Sequence, residues 1–113
     1  MHEFGIMQEA ADMAIARALE SGAERIHVIR LRVGKLSGVV PEAMRFVHEV
    51  IVEGTIAEGS TLEIEEAPIV CWCAACAAEF DAPDARFLCP RCHAPSGEIR
   101  SGRELEIVNM EVS

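Results

Sequence analysis

The chain has 113 residues, and its 19 acidic side chains outnumber its 10 basic ones to give a formal net charge of −9. This length suits one domain, or one domain with a small appendage, and a hydrophobic fraction of one half excludes a wholly disordered chain. The acidic balance argues against nucleic-acid binding, which needs a basic face that displaces counterions. No apolar run approaches the roughly 20 residues of a membrane span, and no basic leader is evident. We therefore expect a soluble, cytoplasmic protein with no membrane partner.

The first half of the chain predicts a helix, a strand and a second helix. Apolar residues at three-to-four spacing predict an amphipathic helix over 6–19, ended by Gly22. The β-branched segment 26–36 predicts a strand, and Pro41 is well placed to begin a helix that runs to about Glu53. The residues expected on the inner side of this second helix are Ala43, Phe46, Val47, Val50 and Ile51.

The second half predicts two further strands with a different kind of sequence between them. Residues 61–65 alternate between polar and apolar side chains, and 104–112 has the same character with a change of parity. On that last strand the apolar positions are Leu105 and Ile107, followed by Val108, Met110 and Val112. The predicted fold is α+β, a small three-stranded sheet with two helices on one face. Residues 1–67 and 103–113 would form this domain, and 68–102 an inserted lobe.

The lobe contains all five cysteines of the chain. Cys73 and Cys76 form one C-x-x-C pair, Cys89 and Cys92 form another, and twelve residues separate the pairs. Two such turns can place four thiolates around a tetrahedral zinc ion at about 2.3 Å per bond. A lobe of this size cannot bury enough surface to fold alone, so zinc would stabilise it. The pattern predicts a zinc ribbon whose four protein ligands make the site structural.

Other cysteine chemistries fit less well. Cys89, Cys92 and His93 match a c-type haem attachment pattern, but that leaves the first pair unexplained. A dithiol redox site needs only one pair, and a zinc deaminase needs an H-x-E motif that the chain lacks. Cys71 and His93 are not part of the two C-x-x-C pairs. In the simple interpretation, Cys71 is a small, partly buried residue that binds no metal and His93 is a solvent-facing loop residue. The alternative is that His93 exchanges into the zinc shell when the pH changes.

The amino terminus, Met1-His2-Glu3, is a second possible metal site. A histidine at position two is bulky enough to prevent removal of Met1. The Met1 amine, the deprotonated His2 amide and the His2 imidazole could then chelate one ion in a plane, with the Glu3 amide or carboxylate as a fourth donor. Planar nitrogen sites favour Ni(II) or Cu(II) over zinc. The alternative is a frayed, solvated histidine with no ligand role.

The sequence resembles the HypA family of nickel metallochaperones, which serve the maturation of [NiFe]-hydrogenase and, in some bacteria, urease. The segments that carry the resemblance are Met1-His2-Glu3, the loop 33–39 with 41–43, Gly54-Thr55 with 57–59, the two C-x-x-C pairs, and 102–105. The resemblance implies that Met1, His2 and Glu3 bind nickel as cargo. It implies that Cys73, Cys76, Cys89 and Cys92 bind structural zinc.

The resemblance also implies partners, namely the GTPase HypB and the hydrogenase large subunit, for a chain that is not itself an enzyme. The sequence leaves both a monomer and a homodimer open. Gly34-Lys35 does not form a phosphate loop, because Leu36 stands where Ser or Thr is required. Phe4-Gly5 replaces a more usual Leu-Ser, and His93 replaces a common glycine. Two hypotheses remain beside nickel delivery: a zinc-ribbon regulatory or protein-binding module, and a small enzyme that uses Glu42 or Glu49.

Overall fold

The computed structural model describes residues 2–113. Within them the chain forms two α-helices, one 3₁₀ turn and six strands, which make two three-stranded sheets of order β2-β1-β6 and β4-β3-β5. The helices are α1 (His2–Glu20) and α2 (Pro41–Ile51), and the 3₁₀ turn is Lys35–Ser37. The strands are β1 (Ile26–Gly34), β2 (Thr61–Ala67), β3 (Val70–Cys73), β4 (Ala78–Asp81), β5 (Glu98–Ser101) and β6 (Leu105–Val112). The predicted α+β fold is confirmed, and the cysteine lobe adds a sheet of its own.

The first compact unit comprises the residues up to Arg32 together with 39–65 and 105–113. Helix α1 packs an alanine-rich stripe into its core, where Met7, Ala10, Ala14 and Ala18 are buried. Small side chains at this spacing let neighbouring elements approach closely. The helix begins at His2, four residues before the predicted start. Residues 2–5 are exposed or half-buried, so their apolar pattern gives no sign that they are helical.

Helix α2 is rotated relative to the prediction. Met44, Val47 and His48 are its buried residues, whereas Phe46 and Val50, both expected on the inner side, are exposed by 69% and 55%. Met44 and Val47 provide the apolar contacts of the buried side, and His48 is accommodated there because its Nε2 lies 2.9 Å from the Ser60 hydroxyl oxygen. The helix also ends two residues earlier than predicted, at Ile51.

The outer face of the first sheet is charged. Arg30 on β1 donates to Glu63 on β2 and to Glu111 on β6, at 2.9 and 2.6 Å. Arg32 makes the equivalent pair of contacts with Glu65 and Glu106. Ile29 and Leu31, which alternate with these arginines, are buried on the opposite face. The sheet therefore has one solvated face and one core face, as its period-two pattern predicts.

The ends of two strands differ from the prediction. Strand β1 stops at Gly34, and the next three residues form the 3₁₀ turn, so the strand does not reach residue 36. On β6 the predicted change of parity is present at Met110, which is half-buried, but Val108 and Val112 are exposed by 43% and 42%. The apolar pattern beyond Ile107 therefore predicts more burial at the end of this strand than the structure shows.

The second compact unit comprises Val33–Gly38 and Glu66–Glu104. Strand β3 lies between β4 and β5, and both pairings are antiparallel. The segment 33–38 joins this unit through two backbone hydrogen bonds, from the Gly34 amide to the Glu104 carbonyl and from the Leu36 amide to the Gly102 carbonyl. The predicted division of the chain at 68–102 stays a prediction, and these hydrogen bonds show how segment 33–38 is attached to the cysteine lobe.

Candidate metal centres

The first candidate metal centre is a cage of four cysteine sulfurs in the second unit. One sulfur atom from each of Cys73, Cys76, Cys89 and Cys92 lies within 4.8 Å of the other three. The closest contacts join the two pairs: Cys73 to Cys92 at 3.6 Å and Cys76 to Cys89 at 3.9 Å. A regular tetrahedron with zinc–sulfur bonds of about 2.3 Å has edges of about 3.8 Å. The donor set and its spacing therefore fit a closed zinc site.

Two turns of similar construction form the cage. The first follows β3, which ends at Cys73, and the second is closed by hydrogen bonds from the His93 amide to the Cys89 carbonyl and from the Cys89 amide to the Ala94 carbonyl. The residue after each pair, Ala77 or His93, has a positive φ of 50° or 63°. Glycine adopts this backbone most easily, and histidine tolerates it better than most residues. The left-handed backbone at His93 is therefore one that a glycine at this position would adopt without strain.

Hydrogen bonds within the cage change the pKa values of two thiols, Cys76 and Cys89, in opposite directions. Contacts with the neighbouring sulfurs of Cys92 and Cys73 raise the pKa of Cys76 to about 12. Donation from the backbone amides of Cys92 and Arg91 instead lowers the pKa of Cys89 to about 6. Amide donors that stabilise a thiolate are the outer-shell support that a zinc-sulfur site requires. The amides that follow Pro90 therefore favour the thiolate form of Cys89, the form that binds a metal ion.

Cys71 lies outside this cage. It is fully buried on β3, in an apolar cluster that includes Phe80 and Ile69, and burial raises the pKa of its thiol. Within the described residues, the group of metal-competent side chains contains neither Cys71 nor the exposed His93. The pH-dependent exchange of His93 into the zinc shell stays a prediction.

The second candidate centre is the start of α1. Met1 lies outside the described residues, and His2 opens the helix with its side chain 54% exposed. The first amides of a helix have no partner within the helix, so the helix does not consume the His2 amide as a donor. Both the imidazole and this amide can therefore be offered to an ion that approaches from solvent.

Glu3 is held more tightly than its neighbour. Its carboxylate accepts a hydrogen bond from the Val40 amide at 3.3 Å and lies 3.4 Å from the His2 Nε2. Hydrogen bonding from its own backbone amide lowers the pKa of Glu3, and the Val40 amide and His2 act in the same direction. The sequence did not reveal the contact with Val40, because the two residues are far apart along the chain and no local pattern links them.

Together these features define a class of protein. A small α+β unit presents an exposed histidine at the start of its first helix, and a cysteine lobe offers a closed four-sulfur cage, which is typical of a metal-binding protein. No helix within residues 2–113 combines the length and apolar character needed to cross a membrane.

Comparisons with known proteins identify the family. The family model described as "Hydrogenase/urease nickel incorporation, metallochaperone, hypA" matches residues 1–112. The chain is 43% identical to the hydrogenase maturation factor HypA of Picosynechococcus sp. and 45% identical to that of Chloroflexus aurantiacus. These alignments cover 99% of both chains in the first case and 98% of both in the second. The chain belongs to the HypA family of nickel metallochaperones.

Solved structures agree on the fold. The solution structure of the Ni metallochaperone HypA from Helicobacter pylori matches with a TM-score of 0.72 at 18% identity, over 97% of this chain and 96% of that one. A second solution structure of a HypA protein matches with a TM-score of 0.73 at 19% identity, over 100% and 97% of the two chains. The architecture is therefore shared across a wide divergence in sequence.

Proposed function

We propose that this chain carries Ni(II) at its amino terminus for the maturation of [NiFe]-hydrogenase, and that the four-cysteine cage holds a structural Zn(II). The Met1 amine, the His2 amide and imidazole, and Glu3 supply the nickel donors. Cys73, Cys76, Cys89 and Cys92 bind the zinc. The observation that carries the proposal is the exposed imidazole of His2 in the first turn of α1, in a chain whose family is named for nickel incorporation.

The chemistry of this donor set suits transport. Planar nitrogen donors favour Ni(II), while four thiolates in a tetrahedron favour zinc, so the two metals are sorted by geometry. Deprotonation of an amide makes nickel binding moderate in affinity and stronger at higher pH. An exposed site of moderate affinity can release its ion by ligand exchange with a partner.

The partners follow from the same proposal. A GTPase of the HypB type docks with this chain and governs nickel loading, and the hydrogenase large subunit receives the ion. The chain is the carrier in this sequence of events and performs no catalysis. It works in the cytoplasm, where the reduced state of the five cysteines is maintained.

A nickel titration of the untagged, zinc-loaded protein tests the site. We expect His2→Gln to weaken nickel binding at least tenfold, because loss of an outer-shell partner alone costs about 10–100-fold. Glutamine is preferable to alanine, since a small residue at position two would allow Met1 to be removed. A variant with extra residues before Met1 should show a similar loss of nickel affinity, because the Met1 nitrogen is then an amide and no longer a free amine.

His27→Gln is the matched control, since it removes an exposed imidazole from β1. It should bind nickel like the parent, with the absorption band of a square-planar ion. Equal nickel binding by the parent, the His2 variant and the extended protein would overturn the proposal. That result would favour a zinc-ribbon module without metal delivery.

A further inference from the structure

Two of the segments that carry the family resemblance, 33–39 and 102–105, serve neither metal centre. They meet in the second unit, where the Gly34 amide donates to the Glu104 carbonyl and the Leu36 amide to the Gly102 carbonyl. Beside this junction lies an open cleft with a volume of about 330 Å³. Its lining residues are Leu36, Ser37, Phe87, Ile99 and Arg103.

The cleft is apolar at its base. Leu36, Phe87 and Ile99 are half-buried and pack against the apolar cluster of the lobe, so their remaining exposed surface faces the cleft. The volume is at the lower end of the range of ligand sites, about 300–1,000 Å³, which leaves room for one large apolar side chain. Apolar side chains at the base with a few polar groups around them are the usual lining of a binding pocket.

The rim of the cleft carries one positive charge. Arg103 lines it, and the Arg103 side chain is exposed. Arg103 makes no ion pair with any residue from 2 to 113. The nearest carboxylate along the chain, Glu104, is already occupied by the Gly102 amide and the Ser101 hydroxyl at 2.6 and 2.8 Å. In a chain with a net charge of −9, the cation that lines this cleft is thus left without an ion-pair partner among the described residues.

From this complementarity we infer that the cleft docks a partner protein through a segment in which a large apolar side chain stands beside a carboxylate. The apolar side chain enters between Leu36, Phe87 and Ile99, and the carboxylate pairs with Arg103. Arginine suits this role because its planar guanidinium can bind both oxygens of a carboxylate. The surrounding negative charge of the protein repels acidic segments elsewhere and so confines them to this site.

Peptide titrations of the zinc-loaded protein, followed by ¹H–¹⁵N NMR, test the inference. The probe is N-acetyl-Leu-Glu-Leu-Glu-amide, and the comparison peptides are Leu-Lys-Leu-Lys and Ser-Glu-Ser-Glu with the same caps. We expect the probe to bind at least about tenfold more tightly than either, because each comparison peptide lacks one half of the recognition. The shifted amides should be those of Leu36, Ile99 and Arg103.

Variants then assign the charge. Arg103→Gln should weaken binding of the probe peptide by about tenfold or more. Arg17→Gln removes the same charge from an exposed position on α1 and should leave the affinity for the probe unchanged. Both variants should bind nickel like the parent, so failure here is separate from failure of the nickel site. Equal binding of the three peptides, displacement of the probe by inorganic phosphate alone, or no effect of Arg103→Gln would each overturn the inference.

Discussion

At the scale of single residues, His48 shows how a polar side chain on a helix is accommodated in the interior. It is the one polar or charged residue among the described residues that is buried, at 3% exposure, and its partner is the Ser60 hydroxyl. No buried side-chain nitrogen or oxygen within residues 2–113 lacks a hydrogen bond. The cost of burying the imidazole is therefore reduced by this one contact.

The burial of His48 predicts a pH dependence of stability. Desolvation lowers the pKa of His48 below its ordinary 6.5, and the charge of Glu49 offsets this only in part. The unfolded chain therefore binds more protons than the folded one below about pH 6.5, so the free energy of unfolding decreases as the pH falls through that range. One group contributes a slope of at most about 1.4 kcal/mol per pH unit.

Urea unfolding of His48→Gln between pH 5 and pH 8 measures this contribution. In the variant, the free energy of unfolding should decrease less at acidic pH than in the parent, because glutamine can form a hydrogen bond with Ser60 but does not titrate. His27→Gln, at an exposed position on β1, is the control and should retain the slope of the parent. A His48 variant with an unchanged slope would show that the acid sensitivity has another source.

At the scale of elements, the structure separates what a sequence can predict from what it cannot. The helical spacing in α1 and the alternation in β1 predict both elements, because in each of them one face packs into the core and the other faces solvent. The rotation of α2 is not predictable in this way: Phe46 and Val50 are as apolar as Val47, and the burial of His48 against Ser60 gives no signal in the spacing of apolar residues. Long-range hydrogen bonds such as Val40 to Glu3 leave no periodic signal.

The metal centres show the same distinction. The four cysteines of the cage could be found from spacing alone, because a tight C-x-x-C turn fixes both of its sulfurs locally. The cleft beside Arg103 could not, since it is formed where segments 33–38 and 98–104 meet, far apart along the chain.

The junction of these segments depends on a close approach of two backbones. A Cβ on Gly34 would lie 2.0 Å from the Gly102 carbonyl oxygen, a distance that no real contact allows. We expect Gly34→Ala to destabilise the protein by more than about 2 kcal/mol, because the backbone must separate and lose the hydrogen bonds to Glu104 and Gly102. Denaturant unfolding measures the loss.

Gly97→Ala is the matched control for this substitution. A Cβ there has no atom within 4 Å and no positive φ to oppose it, so the free energy of unfolding should change by less than about 1 kcal/mol. Equal effects of the two substitutions would show that the close approach of Gly34 to Gly102 does not hold the segments together.

At the scale of the whole molecule, the second unit depends on the ion in its cage. Its apolar cluster is small, and three of its six buried members are cysteines, namely Cys71, Cys73 and Cys89. A unit of this size does not bury enough apolar surface to offset its conformational entropy without an additional constraint. Zinc binding is therefore part of the folding free energy of this unit, whereas the first unit has the larger aliphatic core described above.

This division predicts different outcomes for two cysteine substitutions. Cys76→Ala removes one ligand of the cage, so we expect it to release zinc and unfold the second unit while nickel binding persists. Cys71→Ala removes the same thiol group from the buried apolar cluster but leaves the cage complete. It should retain one zinc per chain and cost on the order of 1 kcal/mol of stability.

Tryptophan fluorescence and a zinc assay distinguish these outcomes. Trp72 is the only tryptophan of the chain; it is half-buried beside Cys73 and carries the Arg100 guanidinium 4.4 Å from its ring centre. Unfolding of the second unit exposes this ring, so Cys76→Ala, or the parent treated with a chelator, should shift the emission to longer wavelength. Cys71→Ala should keep the emission of the parent. Loss of zinc from the Cys71 variant would make that thiol a ligand, and full zinc retention by the Cys76 variant would show that the cage is not assembled from these four sulfurs.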